Sequence, residues 1–257
     1  MNGAEEPRRC RPKPRPWRGG GPQDSMLHGS GPRPATFASV RRLMPPLTSA
    51  AVRSEYAALA ARYDRRWAKY VERSLALLRP WIEEASLGAV LDVGCGTAAL
   101  LPRLSAWSAR FDSYTGLDLA PEMLRMARAK SGDAPRIAFV AGSADALPFR
   151  AAVFDTAVSA SAMHYWDDPV HALAEMRRVL RPGGRLLLLD WQRDPWPMRL
   201  ADVAMRATGV RYARIWSRAE TRDLLRGAGF RIVSETRGSA GGFWRLMVFD
   251  AVAEGVG

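Results

Sequence analysis

From about residue 50 onward, short apolar runs alternate with segments of helical period. Between Ser49 and Arg79, good helix formers carry Tyr56, Leu59, Tyr63, Trp67, Tyr70, Val71, Leu75 and Leu78 at spacings of three and four. That spacing predicts one or two amphipathic helices that end before Pro80. The stretch VLDVGCGTAAL (90–100) then reads as a strand, a tight glycine turn and the start of a helix running to about Trp107. Further apolar runs follow in YTGLDLA (114–120), RIAFVAG (136–142), FDTAVSASAM (154–163) and RLLLLDW (185–191). Pro121 and Glu122 suit the first turn of a helix, and RPGG (181–184) stops a helix that spans about 170–180. Five near-continuous apolar strands alternating with helices predict an α/β fold with a parallel sheet covered on both faces. Beyond Trp191 the pattern loosens over about 25 residues, QRDPWPMRLADVAMRATGVRYARIW. It then recovers as a helix over 217–227 and two strands, FRIVSETR and FWRLMVFDAV.

The first 48 residues behave differently. RRCRPKPRPWRGGGPQ and GSGPRP interrupt every window in which a helix or strand could propagate, so a disordered tail over 1–48 and a single domain over 49–257 are expected. The tail has no apolar segment of a secretory signal, and Met26 and Met44 are alternative starts. The net charge of +12 raises nucleic acid as a partner, but nine of the basic residues and three acidic ones fall within 1–44, which accounts for half of that excess. Only three of the 38 basic residues are lysines, a composition bias rather than a binding face, and nucleic acid is not expected as a partner. No apolar run approaches the ~18 residues of a membrane span. The two cysteines, Cys10 and Cys95, have no spacing for a metal site or a structural disulfide, which fits a cytoplasmic setting with no metal.

The chemistry concentrates in the glycine turn. Gly94 and Gly96 leave room for a ligand to approach the backbone, and the amides of Cys95, Gly96 and Thr97 would face outward at a helix N-terminus, where polar or negative groups are favoured. Gly94-x-Gly96-x-x-Ala99 also satisfies a dinucleotide fingerprint, with Asp118 near the ~20-residue distance of a ribose-binding carboxylate. A carboxylate there accepts ribose hydroxyls from any adenosine ligand. On that motif alone a nicotinamide-dependent oxidoreductase remains open, as does a binding protein without turnover.

Three further stretches narrow the choice. DVGCGTA, GLDLAPEML, SADALPF and LRPGGRLLL occur together in this order, and as a set they resemble the class I S-adenosylmethionine-dependent methyltransferases. The likeness is to the methyltransferase type 11 branch that includes the ubiquinone and menaquinone C-methyltransferases, and it covers about residues 54–252. It implies a Rossmann-like, seven-stranded, mostly parallel sheet of order 3-2-1-4-5-7-6 with the seventh strand antiparallel. It also implies S-adenosyl-L-methionine as cofactor and a small-molecule methyl acceptor. Carried over by position, it places the methionine part of the cofactor against Gly94, Cys95, Gly96 and Thr97, with Asp92 near the amino group. Asp118 takes the ribose hydroxyls, Leu119 packs on adenine, and Ser143, Ala144 and Asp145 border adenine. The chain departs from the family pattern at Ala98, where a third glycine is usual. The residue after Thr97 is expected already to lie in the helix, so alanine should be tolerated there.

The acceptor side is less determined. His164 and Tyr165 follow the fourth strand, where this fold presents residues to the reacting methyl; His164 is the candidate catalytic base, or else a loop histidine bonded to backbone. The quinone enzymes carry an Arg-Asn pair in this loop where this chain has Met163-His164-Tyr165, which argues against a quinone precursor. Trp191, Trp196, Met198, Met205, Tyr212 and Trp216 crowd the loose insertion, either as an apolar lid over a phenolic, quinol-like or lipophilic acceptor or as core packing. The aromatic stripe of the first helices reads as core, with Tyr63 and Arg66 placed to cover a pocket.

Overall fold

The computed structural model describes residues 49–132, 134–207 and 212–254; the expected disordered tail over 1–48 lies outside them. Helix α1 (Ser49–Ala76) is followed by the single turn α2 (Arg79–Ile82). Then come β1 (Ala89–Val93), α3 (Leu101–Ala106), β2 (Ser113–Asp118), α4 (Pro121–Ser131), β3 (Ile137–Ala141) and β4 (Phe154–Ala160). A 3-10 turn at Met163–Tyr165 leads to α5 (Pro169–Val179), β5 (Leu180–Trp191), α6 (Trp196–Ala207), α7 (Arg218–Gly227), β6 (Phe230–Gly241) and β7 (Trp244–Ala253). The strands form one seven-stranded sheet of order β3-β2-β1-β4-β5-β7-β6. Strands β1 to β5 pair in parallel, and β7 runs antiparallel to both β5 and β6. The architecture is the one the resemblance implies.

The period of two along the central strands sorts side chains to two cores. In β5, Leu187 and Leu189 join Leu75, Leu78, Ile82 and Leu104 on the face covered by α1, α2 and α3. Leu186 and Leu188 join Leu173, Met176 and Leu225 under α5 and α7. Because both faces are dry, the strands carry no polar alternation, and the buried hydroxyls inside them are bonded to backbone. Thr156 Oγ1 donates to Leu87 O at 2.8 Å and Ser159 Oγ to Val93 O at 2.9 Å. Helix α7 starts on a capping box, with Ser217 and Glu220 satisfying each other's amides.

Strand β5 begins earlier than the sequence suggests. Leu180 already pairs with Phe154, and a register shift then lets RPGG bulge before Arg185 pairs with Thr156. Gly183 sits at φ +76 there, the left-handed conformation that glycine adopts without strain. The sheet order reverses direction between β1 and β4. The crevice beyond their carboxyl ends is where open α/β sheets hold ligands.

Candidate functional site

A cavity opens at that crevice, walled on one side by the carboxyl ends of β1, β2 and β4 and on the other by α1. Its floor is the glycine turn. Gly94 has φ +76, and a Cβ on it would fall 2.5 Å from the Cβ of Ala162, so only glycine fits between this turn and the loop after β4. The turn differs from expectation in two respects. Helix α3 begins at Leu101 rather than at Thr97, because Ala98 adopts φ +58 and breaks the helical run. The amides are also engaged from within. Gly94 N and Cys95 N both donate to Leu117 O, at 2.8 and 3.0 Å, and Gly96 N donates to Asp118 Oδ2 at 2.8 Å. The cradle expected of the Cys95 and Gly96 amides is therefore spent on holding the turn to the end of β2. Ala98 is the non-glycine residue of this turn with a left-handed backbone, outside the helix, and its alanine carries strain that glycine would not.

Two carboxylates face the floor. Asp92 is buried at the end of β1 and accepts from Tyr114 Oη at 2.5 Å. Burial pushes its pKa up to about 7; the Tyr114 bond opposes this and the charge of Asp118 adds to it. Asp118 closes β2 and accepts from Ala120 N at 2.9 Å as well as from Gly96 N. Burial holds it above the usual carboxylate range in spite of those backbone bonds. Leu119 and the loop Ser143, Ala144 and Asp145 border the same cavity. The structure thus brings Asp92, Gly94 to Thr97, Asp118, Leu119 and Ser143 to Asp145 to one surface.

It does not bring His164 there. The His164 ring is buried behind the cavity wall, stacked on Trp191 with centroids 3.6 Å apart, and its Nδ1 lies 2.6 Å from Asp190 Oδ1. Asp190 also takes the amides of Met163 and Trp191, each at 2.6 Å, and so ties the loop after β4 to the end of β5. His164 Nε2 has no hydrogen-bond partner. Its neighbour Tyr165 does reach the cavity, and burial raises its hydroxyl pKa to about 12.

Helix α1 supplies the opposite wall. Tyr56, Tyr63 and Tyr70 repeat every seven residues and so share one helical face, which lines the cavity. Tyr70 Oη shares a hydrogen bond with Ser161 Oγ at 2.8 Å and accepts from Trp191 Nε1 at 2.8 Å. Tyr56 meets Tyr165 edge-on at 5.4 Å. Asp64 fixes the helix to the floor, accepting from Thr97 Oγ1 at 2.6 Å and from Lys130 Nζ at 2.8 Å. The lid envisaged for the insertion after Trp191 is absent from this wall among the described residues. Met198, Met205 and Tyr212 pack instead in the core beside Trp191, and Trp196 points to solvent, 74% exposed.

Residues 91–188 match the family model described as a methyltransferase domain. The chain is 36% identical over 151 residues to the demethylmenaquinone methyltransferase of Deinococcus radiodurans, covering 55% of this chain and 60% of that protein. It is 27% identical over 161 residues to a ubiquinone/menaquinone biosynthesis C-methyltransferase of Geobacter sp. (strain M21), covering 57% and 66%. It therefore spans somewhat less than two thirds of the length of these curated relatives. Over these residues the chain is similar to methyltransferases. Its fold is shared with a methyltransferase from Haloferax volcanii solved with its activator, at a TM-score of 0.70, 23% identity and coverage of 80% and 99%. A Thermotoga maritima S-adenosylmethionine-dependent methyltransferase gives 0.62, 21%, and coverage of 77% and 98%.

Within this fold the residues that sequence reasoning left aside are Tyr56 and Tyr70, which read as core. Their signal was present in the seven-residue repeat of tyrosines. A core stripe is built as readily from leucine, whereas three aligned phenols place three polar tips on one line. The cofactor also fits the floor on an observation independent of the family. Asp92 is a buried carboxylate whose bonded partner is a neutral phenol, and among the described residues no lysine, arginine or histidine lines the cavity. A ligand ammonium is the group that such a carboxylate lacks.

Proposed function

We propose that the protein transfers a methyl group from S-adenosylmethionine to a small-molecule acceptor held against the tyrosine face of α1. The observation that carries this reading is the single cavity joining the Asp92 and Asp118 floor to the Tyr56–Tyr63–Tyr70 wall. In this reading Asp92 pairs with the cofactor's ammonium, and the Gly94 to Thr97 turn admits its methionine part at van der Waals distance. Asp118, which uses two of its roughly four acceptor sites on Gly96 and Ala120, retains capacity for the ribose hydroxyls. Leu119 packs on the adenine, Ser143 and Ala144 border it, and Asp145 accepts from its exocyclic amine.

The cofactor supplies an electrophilic methyl on a sulfonium. The chain then has to align the acceptor, keep water out and leave the acceptor's proton a path to solvent. Alignment falls to α1, pinned by Asp64 at the floor and by Tyr70 at Ser161. Exclusion of water falls to the apolar side chains of Val52, Val71 and Leu75 on the same helix. His164 does not touch the acceptor in this reading; with Asp190 it positions Tyr165, and no dedicated base is invoked. The Deinococcus and Geobacter relatives are named for quinone methylation, which supports a lipophilic, ring-bearing acceptor.

Calorimetry with S-adenosylmethionine tests the floor. Asp118→Ala should weaken binding by at least about 100-fold, as expected when a charge-assisted contact and two turn bonds are lost together. Unchanged affinity would refute the assignment. Incubation with labelled cofactor and a panel of phenols, quinols, fatty acids and amines, read as a mass gain of one CH₂, tests transfer itself.

A further inference from the structure

The charge pattern of the cavity narrows the acceptor further, resting on the methyl-transfer reading above. Five aspartates line it, Asp92, Asp118, Asp145, Asp167 and Asp168, and among the described residues no cationic side chain does. Asp167 takes the amide and hydroxyl of Ser49, and Asp168 caps α5 by accepting from His171 N. Among the described residues neither has a cation as its bonded partner, so both present negative charge at the mouth where α1 meets the loop before α5. Hydroxyls make up the rest of the polar surface. The rings of Tyr56 and Tyr165 meet edge-on with centroids 5.4 Å apart, Tyr70 bonds Ser161, and Val52, Val71 and Leu75 fill the space between.

An entering carboxylate, sulfate or phosphate would find no cationic side chain among the described residues to pair with and would pass Asp167 and Asp168 to arrive. An uncharged hydroxyl or carbonyl would instead find phenols able to donate and accept at little desolvation cost. We infer that the acceptor is an uncharged, partly apolar molecule whose oxygen is gripped by the Tyr56–Tyr165 hydroxyl pair, and that the cavity selects against acceptors bearing an anionic group. This makes Tyr56 and Tyr165 specificity residues of the acceptor side. Neither lies in the cofactor floor.

Three ligands of one ring shape separate charge from shape: naphthol, naphthoate and naphthylmethylammonium. Each is titrated by calorimetry at neutral pH into the full-length protein saturated with S-adenosylhomocysteine. Naphthol should bind at least about tenfold more tightly than naphthoate, in line with the cost of an unpaired charge in a partly buried site. Tyr56→Phe with Tyr165→Phe should cut naphthol affinity several-fold and leave S-adenosylhomocysteine affinity and the affinity for unsubstituted naphthalene unchanged. That pattern separates lost hydroxyl recognition from a damaged pocket. Naphthoate binding as well as naphthol, naphthylmethylammonium binding tenfold more tightly than naphthol, no naphthol binding, or a double variant with wild-type naphthol affinity would each overturn the inference. Failure of S-adenosylhomocysteine itself to bind would bring down the methyl-transfer reading along with it. A bound S-adenosylhomocysteine with the wrong acceptor preference sinks this inference alone.

Discussion

Two amphipathic helices, one before the first strand and one after the fifth, do opposite jobs. Helix α1 turns its tyrosines inward to a cavity. Helix α6 turns Met198 and Met205 inward to the core and leaves Trp196, Leu200 and Val203 in solvent. Both segments are amphipathic and both contain residues suited to a lid, so composition alone does not separate them. The difference lies in what each inward face meets. The line of α1 runs over the carboxyl ends of β1, β2 and β4, where the sheet order reverses and a crevice must open. The insertion carrying α6 leaves the carboxyl end of β5, one strand beyond the reversal, and packs in the core beside Trp191, where β5 pairs with β7.

The largest effect that would sharpen this contrast is on stability. Met198→Ala should cost about 2–5 kcal/mol of unfolding free energy in a denaturant titration, the range for truncating a fully buried side chain. The folded fraction should bind S-adenosylmethionine normally. A mild cost combined with lost cofactor binding would make α6 part of the site after all.

Next in size is catalysis. Tyr63→Ala combined with Tyr70→Phe should slow methyl transfer about 100-fold, the scale of a misaligned acceptor, with cofactor affinity changed little. Trp196→Ser combined with Leu200→Ser should leave the rate within about twofold, as surface substitutions usually do. If the two pairs traded effects in a single-turnover assay, the contrast would be broken.

A third effect, on pH dependence, belongs to the floor. The pKa of Asp92 is raised to about 7 in the folded chain, above its unfolded value. The native state therefore binds more protons than the unfolded one between about pH 4 and pH 7, and the contribution of this residue to stability falls as pH rises through that window. Cofactor binding should run the other way, since the ammonium needs the ionised carboxylate. Affinity should rise about tenfold from pH 6 to pH 8, one ionisation with a midpoint near the shifted value. Asp92→Asn should flatten both slopes, and an unaltered slope in that variant would remove Asp92 from the site.

The smallest effect concerns Ala98. Relieving its left-handed backbone with Ala98→Gly should stabilise the domain by about 0.5–1 kcal/mol, a few degrees in a thermal melt, with cofactor affinity unchanged. A lower melting temperature would show that the turn is not strained there.

These cases also mark how far the sequence could be read. Strand identity and the sheet's cofactor edge were legible because β1 to β5 are buried on both faces and so carry unbroken apolar runs such as LLLL at 186–189. That Asp92, Asp118 and the 143–145 loop share one cavity could be anticipated because each follows the end of one of those strands. Helix α3 was placed too early because TAAL has good helix propensity, and nothing in those letters reveals that Ala98 is left-handed. His164 resembled a base because it follows β4, but its partner Asp190 lies 26 residues away in sequence, at the end of another strand. Pairings across strands are set by the sheet order, which local pattern does not encode. The choice between lid and core packing for the insertion stayed open in the sequence for the same reason.

The wall of α1 spans residues 49–76, wholly outside the segment 91–188 that matches the family domain. The proposed cofactor grip and most of the proposed acceptor choice are therefore written in separate, contiguous stretches of one gene, joined by little more than α2 and a short connector. The two stretches touch through few polar bonds, chiefly Asp64 to Thr97 and Lys130, Ser49 to Asp167 and Tyr70 to Ser161. A lineage could then change what is methylated by recombination at a single junction or by drift along one helix face, while the donor half stays as it is. In the laboratory the same arrangement makes α1 a unit to graft, with those contacts as the sockets to preserve.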